Sequence, residues 1–301
     1  MDKLDHTGQK CNASRLPEWM RRRLVFDEQV LAVRKMISEF RINTVCQSAG
    51  CPNICECFGR STATFLILGD SCTRNCAFCG VSKGQPLPVD PGEPGRIAEA
   101  VRRLGLTHAV VTSVTRDDLP DGGAGQFART AWAVGQASPG TSLELLVPDF
   151  LGREDSLLEV LNSDIRVLGH NLETVPRLYP RMHSGADFER SILLLRRSKQ
   201  HHPEMTVKTG VMLGLGETDR ELMDLFGLLS GLGCDALTLG QYLPPSRTSP
   251  KPERFVTPET FESYRTAALL SGIPMVQAGP FVRSSYHAEE MITARLRGIC
   301  A

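Results

Sequence analysis

From residue 63 onward the chain alternates between short apolar runs rich in β-branched residues and longer amphipathic stretches. The alternation predicts strands over 63–68, 108–113, 142–147, 165–169, 206–212 and 236–240, with a further short strand over 274–278. Helices are predicted between these strands, over 95–104, 124–137, 154–162, 187–199, 218–231 and 258–271. Strands and helices that alternate in this way form parallel sheets joined by right-handed crossovers.

Six such units predict an α/β fold, a partial (β/α)6 TIM-like barrel. A doubly wound α/β sheet is the alternative, but no Gly-rich dinucleotide-binding fingerprint follows the first predicted strand. In a barrel the catalytic groups lie at the carboxyl ends of the strands. Polar residues follow the predicted strands at 112–113, 170–171, 214–217 and 241–242. We therefore expect the active site at that end of the barrel.

The charges of the chain balance, because 34 Lys and Arg residues are matched by 34 Asp and Glu residues. This balance provides no basic field for nucleic acid or for a membrane surface. The longest apolar runs, such as 65–68 and 192–195, are too short to cross a bilayer. The polar N-terminus lacks the apolar core of a signal peptide. Ten cysteines in such a chain favour metal binding over disulfides, and we expect a cytoplasmic protein.

Three of the cysteines lie in one short stretch, Cys72-Thr-Arg-Asn-Cys76-Ala-Phe-Cys79, directly after the first predicted strand. We call these three the downstream triad. A structural zinc site needs four protein ligands, and no fourth cysteine or histidine follows nearby. Iron–sulfur ferredoxins use a tighter spacing with a further cysteine. A [4Fe–4S] cluster with three cysteine ligands fits this stretch better, because its fourth iron stays open to a substrate or cofactor.

A second group of cysteines lies upstream, in Cys46-Gln-Ser-Ala-Gly-Cys51-Pro-Asn-Ile-Cys55-Glu-Cys57. One cluster accounts for the downstream triad, so a second dense group of thiols indicates a second metal site. A zinc knuckle is the alternative for this group, because thiolates bind both zinc and iron–sulfur clusters.

The C-x3-C-x2-C spacing of the downstream triad resembles the radical S-adenosylmethionine (SAM) superfamily. The order Cys46-x4-Cys51-x5-Cys57 and then the triad resembles the lipoyl synthase family within it. The resemblance extends from about residue 16 to residue 288. Further stretches that carry it are 69–76 (GDSCTRNC), 116–123 (RDDLPDGG), 170–179 (HNLETVPRLY), 212–218 (MLGLGET), 239–243 (LGQYL) and 279–288 (GPFVRSSYHA).

The resemblance implies a particular domain organisation and two metal cofactors. It implies a partial barrel of the radical SAM type over 61–272, an N-terminal extension over 1–60 and a C-terminal extension over 273–301. It also implies two [4Fe–4S] clusters, an auxiliary one in the N-terminal extension and one that binds SAM. The ligands would be Cys46, Cys51 and Cys57 for the auxiliary cluster, and Cys72, Cys76 and Cys79 for the SAM-binding cluster.

The family also implies that a serine of the R-S-S-Y stretch supplies the fourth ligand of the auxiliary cluster. We place this ligand at Ser285 rather than Ser284, and we assign Ser285 a part in catalysis together with the downstream triad. The alternative role is that of a residue capping a helix that begins near His287.

The family's reaction is the insertion of two sulfur atoms at C6 and C8 of an octanoyl chain attached to a lysine of a carrier protein. The resemblance implies that SAM cleavage supplies the radical and that the auxiliary cluster supplies the sulfur. The partners implied are an octanoylated lipoyl carrier domain or H-protein-like substrate, an electron donor such as flavodoxin or ferredoxin, and an Fe–S cluster carrier protein. Neither nucleic acid nor a membrane is expected as a partner.

Five residues at strand ends are candidates for binding SAM. Asn171, Glu173 and Glu217 offer polar side chains beside the cluster loop, and Gly214 and Gly216 permit close approach of the backbone. The alternative for each polar residue is ordinary hydrogen bonding or helix capping at a strand end. Asp117 and its neighbours 116 and 118 are candidates for a structural ion-pair network.

The chain departs from the family pattern at three places. Thr115 stands where aspartate is usual, Cys55 stands where glycine is usual, and 182–184 (MHS) replaces a stretch that usually contains arginine. We expect Cys55 to be a small core residue rather than a ligand. Near the N-terminus, the basic run at 21–23 indicates a solvated helix face, and Trp19 is expected to pack on the body of the protein.

Two other functions remain open at this point. One is a radical SAM enzyme of the biotin synthase type that inserts sulfur into a different acceptor. The other is an iron–sulfur electron carrier or a zinc-stabilised binding module without catalysis. The R-S-S-Y-H segment and the upstream cysteines argue against the first, and an electron carrier needs neither a barrel nor a cluster with an open iron.

Overall fold

The computed structural model describes residues 16–22 and 25–291. Its strands are β1 (Asn43–Thr44), β2 (Thr64–Ile67), β3 (Ser71–Cys72), β4 (Ser82–Lys83), β5 (His108–Ser113), β6 (Ser142–Leu146), β7 (Val167–Gly169), β8 (Thr206–Leu213), β9 (Ala236–Gln241) and β10 (Met275–Gly279). Eight of them form one sheet in the order β1-β2-β5-β6-β7-β8-β9-β10. Every pair in this sheet is parallel except β1 and β2.

The helices are α1 (Glu28–Glu39), α2 (Val45–Ser48), α3 (Ile54–Gly59), α4 (Glu93–Leu104), α5 (Ala124–Ala137), α6 (Glu154–Leu161), α7 (Tyr179–Met182), α8 (Phe188–His201), α9 (Asp219–Gly231) and α10 (Pro258–Leu270). Helices α4 to α10 lie between the parallel strands, as a series of crossover connections requires, whereas α1 precedes β1 and α2 and α3 lie between β1 and β2. Each strand and helix predicted from residue 63 onward is present, with ends displaced by at most two residues. None of the helices among the described residues is long and apolar enough to cross a membrane.

Helix α1 was not predicted, because residues 1–40 are mostly polar. Its apolar residues Val30, Val33 and Ile37 are buried in the same cluster as Phe58 and Phe65. The Asp27 side chain caps the helix by accepting a hydrogen bond from the Val30 amide, at 2.9 Å. The N-terminal extension therefore shares a hydrophobic core with the sheet.

Two expectations for the N-terminal segment are wrong. Arg21 and Arg22 follow a short 3₁₀ helix (Glu18–Met20) and lie in irregular structure rather than on a helix face, and position 23 is outside the described residues. Trp19 is 41% exposed, whereas Met20 is only 2% exposed. The unbranched Met20 side chain fits the core, and the tryptophan ring stays partly in solvent.

The sheet is open, with β1 and β10 as its two edges. The segment after β10, residues 280–290, bridges the gap between these edges. The Asn53 side chain donates to the Phe281 carbonyl at 2.7 Å, and Thr64 Oγ1 donates to Ser285 Oγ at 2.7 Å. Tyr286 reaches Glu56 on α3. The segment that follows the β10 edge is thus joined to β2 and α3, near the β1 edge, and we call this line of contacts the seam.

Candidate active site

The downstream triad begins at Cys72, the last residue of β3, and continues with Cys76 and Cys79 in the loop to β4, which pairs with β3 as a small parallel sheet. The Cys79 amide donates to the Cys76 carbonyl at 3.2 Å, and the Gly84 amide donates to the Cys72 carbonyl at 3.1 Å. These bonds fold the loop back on itself. Burial, together with the neighbouring thiols Cys79 and Cys72, raises the pKa of Cys76 to about 12. Such thiols become thiolate ligands when a metal centre supplies the compensating positive charge.

Arg74, inside the cluster loop, anchors it to the barrel. The Arg74 guanidinium bonds Asp117 at 2.7 Å and 2.9 Å and Asp149 at 2.6 Å. Burial opposes ionisation of Asp149, but the hydrogen bond from Arg74 outweighs it and lowers the pKa of this carboxyl. The predicted network around 116–118 is therefore present, and it includes Arg116 paired with Asp118 at 2.8 Å. Sequence reasoning missed Arg74 because its partners are distant in the chain.

Asn171 and Glu173 lie together beyond the carboxyl end of β7. Asn171 Nδ2 donates to Glu173 Oε1 at 3.0 Å and to Ser284 Oγ at 2.9 Å. Asn171 Oδ1 is buried without a hydrogen-bond partner. Burial raises the pKa of Glu173 to about 7, against the opposing effects of Asn171 and Arg283. Both side chains therefore retain capacity to bind a ligand, as the prediction for SAM requires.

Glu217 uses its carboxylate within the protein. Its oxygens accept hydrogen bonds from the Gly214 amide at 2.7 Å and the Leu215 amide at 2.8 Å. Gly214 and Gly216 have φ of 95° and 104°, which a residue with a side chain rarely adopts. A Cβ at Gly214 would overlap the Gln241 side chain. The structure thus gives these three residues a role in shaping the turn, which is the alternative to direct SAM contact.

The upstream cysteines Cys46, Cys51 and Cys57 line a cavity of about 180 Å³ together with Ser285. Burial raises the pKa of Cys46 to about 11 and that of Cys57 to about 12. Within 16–22 and 25–291, no three His, Cys, Asp or Glu side chains are placed to hold one metal ion. Three thiols and a hydroxyl around a cavity of this size fit a larger body, such as a cluster in which each iron takes its own ligand.

Cys55 and Ser284 do not border this cavity. Cys55 is buried in the apolar cluster, because residues two apart on a helix such as α3 point in nearly opposite directions. Ser284 instead meets Asn171. The geometry agrees with the placement of the ligand at Ser285, which remains a prediction. The helix after this segment begins at Ala288 in the described residues.

Three titratable side chains on strands form a buried group that sequence reasoning missed. Lys208 Nζ lies 3.0 Å from Glu144 Oε1, and His108 Nε2 lies 3.4 Å from Glu144 Oε2. Each of the three residues is at most 5% exposed. The sequence signal that could have predicted this group is a single charged residue within an apolar strand, as in Leu143-Glu144-Leu145.

Two of the positions at which the chain departs from the family pattern, Thr115 and the stretch 182–184, have structural explanations. Thr115 contacts the cluster loop through its carbonyl oxygen, which accepts hydrogen bonds from the amide and the hydroxyl of Thr73. Any residue at position 115 provides that carbonyl. His183 stacks on Phe78 with 5.4 Å between ring centroids. Cys234 is buried among apolar residues, as expected of a structural cysteine. Cys11 and Cys300 lie outside the described residues.

Comparison with known proteins places this geometry in a family. Residues 66–229 match the Radical SAM superfamily. Lipoyl synthase of Geobacter metallireducens is 51% identical over 274 residues, which cover 91% of this chain and 96% of the relative. Lipoyl synthase of Caldanaerobacter subterraneus subsp. tengcongensis is 49% identical over 275 residues, which cover 91% of this chain and 96% of the relative.

Solved structures share the fold at low sequence identity. Streptococcus suis SuiB bound to its precursor peptide SuiA has a TM-score of 0.58 at 11% identity, over 75% of this chain and 52% of that one. HydG, a maturase of the [FeFe]-hydrogenase, has a TM-score of 0.54 at 14% identity, over 84% of this chain and 57% of that one. The parallel sheet, the cysteine loop after its first parallel strand and these relatives together show that the chain belongs to the lipoyl synthase family of radical SAM sulfur-inserting enzymes.

Proposed function

We propose that this enzyme inserts two sulfur atoms at C6 and C8 of a protein-bound octanoyl-lysine, with an auxiliary [4Fe–4S] cluster as the sulfur source. The observation that carries this proposal is the arrangement of two neighbouring serines. Ser284 contacts Asn171 beside the expected SAM site, and Ser285 lines the cavity of the upstream cysteines. This arrangement supports two neighbouring sites, from which one carbon atom of the substrate would be reached. Reactions of this kind require such near contact.

The proposal assigns each site its own cofactor. Cys72, Cys76 and Cys79 would hold a [4Fe–4S] cluster whose open iron binds SAM, with Asn171 and Glu173 nearby. When bound, this cluster and SAM supply a 5′-deoxyadenosyl radical, which can abstract hydrogen from an unactivated C–H bond. The upstream cysteines and Ser285 would hold the auxiliary cluster.

The substrate and partners follow from the family's chemistry. The relatives are lipoyl synthases, which supports an octanoylated protein as the substrate. The proposal takes this protein to be a lipoyl carrier domain or an H-protein-like protein. A low-potential donor such as flavodoxin or ferredoxin would deliver electrons, and an Fe–S carrier protein would rebuild the auxiliary cluster after each product is made.

The test is product analysis with an octanoyl-lysyl peptide after anaerobic reconstitution. We expect about eight irons per chain, and mass spectrometry should detect the doubly thiolated peptide together with 5′-deoxyadenosine. Replacing the downstream triad with alanine should remove about half of the iron and abolish 5′-deoxyadenosine formation.

Replacing Cys46, Cys51 and Cys57 with alanine should also remove about half of the iron, but 5′-deoxyadenosine should still form while thiolation stops. If this second variant retained full sulfur insertion, the auxiliary cluster could not be the sulfur source. A reconstituted parent that contained zinc and no acid-labile sulfide would contradict both assignments.

A further inference from the structure

Arg283 lies on the seam between the two proposed sites. It lines the cavity of the upstream cysteines and Ser285. Its guanidinium passes over the carboxyl end of β9, where a Cβ built on Gly240 would lie 3.1 Å from Nη1. The absence of a side chain at Gly240 lets the backbone of Val282 pass close to β9, since a Cβ there would overlap the Val282 carbonyl oxygen, and this close passage brings the Arg283 side chain to the end of the strand.

The charge of Arg283 has no ion-pair partner among the described residues. The one hydrogen bond its guanidinium makes there joins Nη1 to the adjacent Val282 carbonyl, at 2.7 Å. Arg60 borders the same cavity, but its Nη2 is paired with Glu290 Oε1 at 2.8 Å. A guanidinium offers five N–H donors and stays protonated in proteins. Arg283 is thus a cation in the cavity wall, and most of its N–H donors have no hydrogen-bond acceptor among the described residues.

The groups that influence Arg283 belong to both sites. Burial lowers the pKa of Arg283, while the Cys51 thiol and the Glu173 carboxyl act in the opposite direction. Arg283 lines the same cavity as Cys51, a predicted ligand of the auxiliary cluster, and it directly precedes Ser284, which contacts Asn171, a candidate for SAM binding. A cluster with three thiolates and an alkoxide carries net negative charge, and the reduction potential of such clusters depends on nearby charge and on hydrogen bonds to sulfur.

The electron balance of sulfur insertion indicates what a positive charge at Arg283 would stabilise. Hydrogen abstraction leaves a carbon radical with one unpaired electron. When that carbon bonds to a sulfide, one electron of a sulfide lone pair completes the C–S bond and the other reduces a ferric iron to ferrous. Each insertion therefore places one electron on the cluster that supplies the sulfur, and a nearby positive charge stabilises the added electron.

We propose that Arg283 is a positioning residue that raises the reduction potential of the auxiliary cluster, so that the cluster accepts the electron released at each sulfur insertion. This inference rests on the proposed function, because it requires a cluster on the upstream cysteines. Arg283 would act through its charge on the cluster, not by touching SAM.

The experiment measures the potential of the auxiliary cluster alone. The full-length variant with alanine at positions 72, 76 and 79 holds only that cluster, and its potential is read from an EPR-monitored redox titration. Adding Arg283→Gln to this variant should lower the ratio of reduced to oxidised auxiliary cluster, at one fixed solution potential, at least tenfold. For a one-electron couple this corresponds to a potential lowered by 59 mV. Arg283→Lys keeps the charge and should stay close to the parent potential. Arg60→Gln is the matched control and should shift the potential less, because Glu290 already balances Arg60.

The outcomes separate the two proposals. A potential unchanged by Arg283→Gln, or shifted no more than by Arg60→Gln, overturns the role of Arg283, and so does an equal shift in Arg283→Lys. If Arg283→Gln does not retain the cluster, Arg283→Met against Arg283→Lys gives the same comparison. Failure of the triple-alanine parent to bind iron at all would overturn the proposed function instead. SAM cleavage by the otherwise intact enzyme should persist in Arg283→Gln.

Discussion

Single side chains decide which atoms border each site. On α3, Cys57 faces the cavity and Cys55 faces the apolar core, although only one residue separates them. On the seam, Ser284 and Ser285 face different sites in the same way. An extra thiol or hydroxyl near a cluster motif is therefore not a ligand unless the local backbone directs it into the cavity.

The two serines of the seam should respond differently to substitution. Ser285→Ala should give a labile auxiliary cluster and little thiolated product, because one iron loses its proposed protein ligand. Ser285→Cys should keep the cluster but slow sulfur insertion, since thiolate is the softer ligand and iron–sulfur sites favour it. Iron content, the rate of iron loss to a chelator and product yield are the measurements.

Ser284→Ala is the matched control for this prediction. It removes the hydrogen bond with Asn171 and should leave the auxiliary cluster stable. If Ser284→Ala lost the cluster and both Ser285 variants worked at the parent rate, the ligand would be Ser284.

At the scale of secondary structure, the strands place charges inside the barrel as well as at its carboxyl end. The group of Lys208, Glu144 and His108 joins three strands through side chains that are almost completely buried. Burial opposes ionisation of Glu144, but Lys208 and His108 outweigh it and lower the pKa of this carboxyl. Removing one partner of a buried ion pair destabilises the folded protein strongly, because it leaves the other charge buried without compensation.

Lys208→Met should therefore destabilise the protein by about 3–5 kcal/mol, because it leaves a buried carboxylate with His108 as its remaining partner. The double variant Lys208→Met/Glu144→Leu should recover part of this loss, since no uncompensated charge is left. Anaerobic urea unfolding measures both. Lys35→Met is the control, because Lys35 pairs with Glu39 on the exposed face of α1 and should cost less than about 1 kcal/mol. Equal losses in the single and double variants would contradict this explanation.

The short helix α7 should give the protein a sensitivity to acid. His183 directly follows α7 and lies between the rings of Phe78 and Tyr179. Burial lowers the pKa of His183 from 6.5 to about 4. His170 and Arg74 also lower this pKa, whereas Asp149 raises it. The native state thus resists protonation of His183, so stability is lost as the pH falls from 6.5 towards 4.

His183→Phe keeps an aromatic ring in the stack and removes this titration. When the pH is lowered from 7.5 to 5, the parent should lose stability that His183→Phe keeps. The difference between their free energies of unfolding should therefore grow in favour of the variant by at most about 2 kcal/mol. Denaturant unfolding at the two pH values tests this. A difference between the two proteins that does not change with pH would show that His183 is not held neutral by the fold.

Across the whole molecule, what the sequence could predict follows from the range of the interactions. The strand–helix alternation is local and periodic, so it predicted the parallel sheet and placed Asn171 and Glu173 at its carboxyl end. The cysteine spacings predicted two thiol-rich sites. The anchoring of Arg74 by Asp149, the approach of Ser285 to Thr64 and the position of Arg283 in the cavity wall depend on contacts between distant segments. No pattern in a single sequence encodes those contacts.

The seam that closes the barrel should control how easily the auxiliary cluster is lost. Glu56 is its central group, since it accepts from Arg22 at 2.7 Å, from Tyr286 at 2.8 Å and from His287 at 3.1 Å. Glu56→Gln removes the charge that strengthens these bonds, so the segment 280–290, which carries Ser285, should open more often. Loss of about 1.4 kcal/mol corresponds to about tenfold more frequent opening.

Hydrogen exchange of the amides in 280–291 and the rate of iron release to a chelator should both rise by about that factor in Glu56→Gln. Glu262→Gln is the control, because it also breaks a carboxylate–arginine pair, with Arg265, but on the exposed face of α10. That variant should leave both rates at the parent value. If iron release rose in Glu56→Gln while exchange in 280–291 stayed unchanged, Glu56 would act on the cluster directly and not by holding the two edges of the sheet together.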